Sequence, residues 1–179
     1  IANERKIKQR IAAVFDENPF NDVLNAKEIN AIMRRIYSKW EPHTFMNYLE
    51  RFGLPINKAI GQFSKGMKMK LQIAAALSHN AELLIMDEPT SGLDPVVRNE
   101  ILDVFEEYAK DGNHTIFLSS HITSDLERIA DSITYIHNGR IILSDTKENI
   151  LRSYKTLEDV LLSYVSAQGR TEWHEGRIV

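Results

Sequence analysis

The sequence contains no cysteine, so it has neither a disulfide framework nor a thiolate metal site. That usage suits a reducing compartment. No apolar run reaches membrane-spanning length, and no signal-peptide pattern is visible. Neither sign of charge predominates. Lys and Arg total 22 against 25 Asp and Glu, a formal net charge of −3, which argues against a general nucleic-acid binder. There are no internal repeats and no low-complexity segment. What is present is ordinary for a globular chain: 179 residues, 43% hydrophobic and 26% charged. That length suits one large domain, or a domain with a subdomain, with a real core. The first residue is Ile1 rather than Met, so a fragment is expected.

Patterning along the chain predicts an alternating α/β order. Ile11–Phe15 reads as a short strand, ended by the loop Asp16-Glu17-Asn18-Pro19. Asn25 and Glu28 have capping-box spacing, and Ile29, Ile32, Met33, Ile36, Tyr37 and Trp40 mark one helical face. Glu41-Pro42 breaks that helix. A second helix carries Phe45, Leu49 and Phe52 and stops at Gly53. A third starts near Ser64, with Met67, Leu71, Ala74 and Ala75 inward. A strand at Leu83–Met86 leads to a helix from Pro95, capped by Asp94, with Val97, Ile101, Val104, Phe105 and Tyr108 inward. Thr115–Leu118 is the next strand. Ser124 with Glu127 predicts another capping box. Ser132–His137 and Arg140–Leu143 flank Asn138-Gly139, a strong hairpin signal. Thr146 and Thr156 open two closing helices, and a loose tail is expected from Ser166.

Several segments could carry chemistry. Leu83-Leu84-Ile85-Met86 runs straight into Asp87-Glu88, the pattern of a buried strand with carboxylates at its carboxyl end. Such a pair can hold Mg²⁺ and polarise a water that attacks phosphorus. By itself the pattern fits an acidic cap after a buried strand equally well. Phe63-Ser64-Lys65-Gly66-Met67 opens a helix whose amides and dipole could meet an anion, although ordinary capped helices start the same way. His121 ends a strand and could meet a phosphate or a water; for a lone histidine a surface or cap role is commoner. Asp16 could reach a metal or water, or be a turn acid. Lys65, Lys68 and Lys70 fit a solvated helix face better than a phosphate patch. Met67, Met69 and Trp40 read as packing. His43, His79, His114, His137 and His174 have no metal-ligand spacing.

Order and spacing together resemble the ATPase domain of ABC transporters over residues 5–165. Phe63–Met67 is similar to that family's signature, Leu83–Asp87 to its Walker B strand, Glu88 to its catalytic base and Ser91-Gly92-Leu93-Asp94 to its D-loop. His121 resembles the switch histidine, and Asp16 stands where the family has its Q-loop glutamine. The resemblance implies a P-loop NTPase core with a mostly parallel sheet and an inserted helical subdomain. It divides the chain into 1–19 (core strand and Q-loop), 20–65 (helical subdomain), 66–145 (catalytic core) and 146–179 (closing helices and tail). It implies ATP and Mg²⁺ as ligands, with Asp87 holding the metal, Glu88 and His121 catalytic, and Ser64, Lys65, Gly66, Asp16 and Asp94 at the nucleotide. It also implies a head-to-tail second ATPase subunit, a transmembrane permease partner, no nucleic acid, and a cytoplasmic place on the inner face of the membrane. Asn18-Pro19-Phe20 and Lys27-Glu28-Ile29-Asn30 look similar to bacterial exporters of drugs or peptides. A non-transport ATPase of the chromosome, repair or translation type, and a nucleotide-free interaction module, stay open.

Three departures qualify the resemblance. None of the eight glycines fits the phosphate-cradling pattern Gly-x-x-x-x-Gly-Lys-Ser/Thr, so the front of the domain is expected to be missing. Lys65 and Met67 replace signature Gly and Gln. Asp16 replaces the Q-loop Gln. A chain without a phosphate loop is expected to bind ATP weakly and hydrolyse almost none; isothermal titration giving micromolar affinity for these residues alone would overturn that expectation.

Overall fold

A computed structural model describes residues 2–110, 112–167 and 177–178. The chain divides into two compact units, 1–118 and 119–179. The first unit opens with helix α1 (Ala2–Lys8), which patterning did not reveal, followed by strand β1 (Ile11–Val14). The strand is one residue shorter than expected. Helices α2 (Ala26–Ile36) and α3 (Pro42–Arg51) come next, then a 3-10 turn at Ile60–Gln62 and helix α4 (Lys65–Leu77). Strand β2 (Leu83–Asp87), helix α5 (Pro95–Ala109) and strand β3 (Thr115–Ser119) complete the order.

Local chemistry explains most boundaries. Asn25 and Glu28 form the reciprocal capping box that opens α2. Pro42 occupies the first turn of α3, where a missing N–H costs nothing. Gly53 ends α3 at φ +62°, a left-handed stop that a glycine reaches without strain. Asp94 caps α5 by accepting hydrogen bonds from Val96 N and Val97 N, both at 3.1 Å.

The sheet has the order β1-β2-β3. Strands β1 and β2 run parallel, with Ala12 opposite Leu84 and Val14 opposite Met86. On the face toward those residues everything is buried: Val14, Leu84 and Met86 are all at most 2% exposed. Helix α4 packs against β1 on one side and touches α2, α3 and α5. From Met69 to Leu77 every residue is buried, as expected for a helix surrounded by protein. The opposite face carries Ala13 and Ile85 in register, and Ile85 and Phe117 remain exposed. Sheets with parallel strands usually have both faces covered.

The α2 face is only partly inward. Ile29 is buried, whereas Ile32 and Ile36 are exposed, because α2 touches α3 and α4 along one narrow stripe. Trp40 lies beyond the helix end; it packs on Phe45 and donates its Nε1–H to Asn30 Oδ1 at 2.7 Å. The lysines are not a bare solvated face. Lys68 pairs with Asp22 at 2.9 Å, and Lys70 is buried, paired with Glu100 at 2.5 Å and set 5.7 Å from the Phe52 ring centre.

The second unit contains helix α6 (Thr123–Ile129), strands β4 (Ser132–His137) and β5 (Arg140–Thr146), helices α7 (Lys147–Ser153) and α8 (Leu157–Ala167), and strand β6 (Arg177–Ile178). Its sheet has the order β5-β4-β6, antiparallel throughout. Asn138 and Gly139 turn the hairpin at φ +48° and +71°, the left-handed pair that a tight two-residue turn requires. The hairpin runs on to Thr146, three residues past the expected end. Thr146 caps α7, and Thr156 Oγ1 accepts from Asp159 N at 3.1 Å to open α8. The Ser124–Glu127 capping box does not form. Instead Ser120 Oγ accepts from Ile122 N at 3.0 Å, so the chain turns earlier and α6 begins at Thr123. Buried Tyr135 donates to Leu157 O at 2.9 Å, and burial pushes its phenol well above the usual range. The tail expected from Ser166 lies largely outside the described residues.

His79 gives the first unit a testable pH response. It is buried, stacks on Tyr37 with ring centres 4.0 Å apart, and places Nε2 3.3 Å from Ile11 O. Burial lowers its pKa below the ordinary 6.5. The unfolded chain therefore binds a proton that the folded chain resists, so stability is full above that value and falls as pH drops through it. The urea midpoint should be lower at acidic than at neutral pH, and the difference should shrink in His79→Asn. An undiminished difference in the variant would remove His79 from the account.

Candidate functional site

The carboxyl ends of β1 and β2 lie side by side. Val14 and Met86 are the last paired residues, so Asp16 and Glu88 each stand two positions beyond the paired ladder. Asp87 closes β2 and is partly buried. Glu88 has φ +50°, left-handed backbone in a residue that is not glycine. Such geometry costs of order 1–2 kcal/mol and persists only where the surroundings enforce it. Here the chain enters a tight turn at once: Ser91 N donates to Glu88 O at 3.1 Å, and Pro89 and Thr90 are buried. Sequence patterning found Glu88 but had no signal for its backbone.

The turn then delivers Gly92 at φ +68° and Asp94 at the cap of α5. Across from it is the start of α4. Ser64 is exposed, and its Oγ accepts from Met67 N at 3.2 Å. The hydroxyl proton can still be donated outward. The first-turn amides of Lys65 and Gly66 have no intrahelical carbonyl to bond, and the helix dipole adds partial positive charge there. A side-chain carbon at Gly66 would lie 3.4 Å from Val97 and 3.9 Å from Leu93, so the helix start packs closely against the turn after β2.

Lys65 ties these pieces together. Its Nζ is 2.6 Å from Asp16 Oδ1, and 3.7 Å from where a side-chain carbon at Gly92 would sit. The first unit therefore brings together the ends of β1 and β2, the turn through Gly92 and the exposed end of α4. Contacts join Asp16, Lys65, Gly66, Gly92 and Leu93 there, while Ser64 caps the end of α4, Asp87 and Glu88 stand at the end of β2 and Asp94 caps α5. His121 lies in the second unit, two residues beyond the end of β3, and is exposed. Buried Gln72 was not singled out by patterning. Its Oε1 accepts from Phe15 N at 3.3 Å, fixing the residue just before Asp16.

Among the described residues no group of three metal-ligating side chains occurs. A lone Asp87 does not make a protein cage. It does suit Mg²⁺, which keeps several waters and binds through one or two carboxylates together with substrate phosphates. The donor set thus fits a metal arriving with a nucleotide.

Comparison with known proteins gives the family and the fold. Residues 8–124 match the family model described as AAA domain, putative AbiEii toxin, Type IV TA system. The ABC transporter ATP-binding protein NatA of Bacillus subtilis (strain 168) is 34% identical over 168 residues, covering 90% of this chain and 67% of NatA. The chain belongs to the ABC transporter ATP-binding proteins. The bacitracin transport ATP-binding protein BcrA of Bacillus licheniformis is 39% identical over 78% of this ABC chain and 46% of its own length. The lantibiotic transport ATP-binding protein SrtF of Streptococcus pyogenes is 37% identical over 82% of the chain and 65% of SrtF. The ABC chain thus spans about half to two thirds of the length of these relatives. A solved structure titled as the ATP binding subunit of an ABC transporter superposes with a TM-score of 0.80 at 27% identity, over 90% of this chain and 71% of that one. A putative metal-chelate type ABC transporter shares the fold, with a TM-score of 0.66 at 21% identity over 79% of this chain and 60% of that one.

Asp94 satisfies two amides of the helix that backs the site. Asp94→Ala should destabilise the protein by about 0.5–2 kcal/mol, the usual range for a lost N-cap. Chemical denaturation checks this; an unchanged midpoint would mean that water replaces the cap without loss.

Proposed function

We propose that this chain is the catalytic portion of an ATP-binding and ATP-hydrolysing subunit, and that the whole protein powers substrate movement across a membrane through partner membrane subunits. The observation that carries the reading is the Asp87-Glu88 pair at the end of β2, with Glu88 strained beyond the β1–β2 ladder in a turn whose later residues, Gly92 and Leu93, meet the exposed start of α4. Family membership supports it.

In this reading residues 20–65 act as a helical subdomain, 1–19 and 66–145 as the catalytic core, and 146–179 as closing helices and tail. Two copies associate head to tail. The Ser64 hydroxyl and the amides at Lys65 and Gly66 of one copy grip the terminal phosphate of ATP bound by the other. Asp87 holds Mg²⁺, which when bound screens the negative charge of the phosphates. Glu88 orients and activates the attacking water, and His121 stabilises charge on the transferring phosphoryl group. Little covalent chemistry is asked of the protein; positioning and electrostatics supply most of the rate. Asp94 links the two sites through the turn that it ends. The loop at Asn18-Pro19-Phe20 contacts a transmembrane permease, which places the protein at the cytoplasmic face of the membrane. No helix of the described residues is long and apolar enough to cross a membrane. The relatives named for bacitracin and lantibiotic transport support a bacterial transporter of drugs or peptides.

Glu88→Gln in the full-length protein tests the central role. Hydrolysis should fall by at least about 10²-fold, the usual contribution of a general base, with ATP affinity changed only a few-fold. Near-normal turnover in a phosphate-release assay would sink the assignment.

A further inference from the structure

Each of the three lysines in the first turns of α4 meets an acid from elsewhere in its unit, but the pairs are not equivalent. Lys70 with Glu100 is largely buried and serves packing. Lys65 with Asp16 is open to solvent, with side chains 50% and 56% exposed. It joins the exposed end of α4 to the end of β1 across 49 residues of sequence, with Lys65 Nζ against the turn at Gly92. Two helical turns further along α4, Gln72 holds Phe15 N from inside the core. Helix α4 therefore grips the end of β1 at two points. The Gln72 contact is part-buried and made by a buried side chain; the Lys65 contact is exposed and exchangeable.

We propose that the Lys65–Asp16 pair is a displaceable electrostatic latch: Asp16 neutralises Lys65 in the resting chain, and the terminal phosphate of a neighbouring copy's ATP takes Lys65 from it. This rests on the reading of α4 as a helix end that meets a partner's nucleotide. An exposed ion pair is weak enough to yield, shifting an equilibrium by no more than about fivefold. A terminal phosphate offers three acceptor oxygens and more charge than one carboxylate, so it outcompetes Asp16 for a single ammonium. The displaced carboxylate then faces an anion of like sign and swings out. Because Gln72 keeps Phe15 in place, the movement is confined to Asp16 and the loop after it. Asp16 thus opposes closure until nucleotide is present, and Lys65 favours it.

The test is the ATP concentration for half-maximal self-association, measured by sedimentation in the full-length protein carrying Glu88→Gln to stop hydrolysis. Asp16→Asn should lower that concentration about two- to fivefold. Lys65→Gln should raise it, and the double variant should behave as Lys65→Gln alone, since Asp16 then has no cation to hold. Unchanged thermal midpoints confirm that the variants fold. A purely structural pair would move both single variants in the same direction, which would overturn the latch. So would a raised ATP requirement in Asp16→Asn, the behaviour of a metal or water ligand, or no shift at all. If the Glu88→Gln protein fails to associate with ATP, the two-copy site itself is wrong and the latch falls with it. Association that is normal in that protein and unshifted in Asp16→Asn refutes the latch alone.

Discussion

The burial of one helix organises the first unit. From Met69 to Leu77, α4 is enclosed on every side, between β1 and the helices around it. Each fully buried aliphatic side chain contributes about 1.5–3 kcal/mol. An exposed ion pair contributes at most about 1 kcal/mol. The pairs Lys65–Asp16, Lys68–Asp22 and Arg51–Glu107 therefore do not hold the fold. They decorate an arrangement that apolar contact has already fixed, and Lys65–Asp16 can consequently be exchanged without unfolding anything.

A helix anchored this way at its carboxyl-terminal two thirds presents its other end rigidly. Ser64 spends its acceptor on Met67 N and keeps a proton to give outward. The turn after β2, through Leu93, and the first turn of α5, through Val97, pack against the same end. The carboxylates and the positive helix end thus share one scaffold, and neither has to be ordered at the moment of binding. Preorganisation of that kind is what electrostatic catalysis requires. The left-handed backbone at Glu88 belongs to the same logic, since strain survives where buried neighbours such as Pro89 and Thr90 enforce it.

Much of this was legible from residue order. The caps at Asn25, Asp94, Thr146 and Thr156 announced their helices, because a short polar side chain before an apolar run satisfies local amides wherever it occurs. Asn138-Gly139 announced its hairpin for an equally local reason. Ser124 and Glu127 misled because Ser120 reached the backbone first, and two local hydrogen-bonding solutions competed for one segment. Ile32 and Ile36 misled because helical spacing identifies a face without saying how wide the neighbour covering it will be.

The sequence by itself determined the alternation of elements, their caps, and a pair of carboxylates following a buried strand. These depend on residues within a few positions of one another, where steric and hydrogen-bonding rules act without help. Only the tertiary structure decided that Lys65 meets Asp16, that Gln72 fixes the backbone at Phe15, that Lys70 is buried, and that Glu88 is held in a left-handed turn. Each of those depends on parts of the chain brought together by packing around α4, and no spacing rule encodes a contact that arises only once an apolar core has closed.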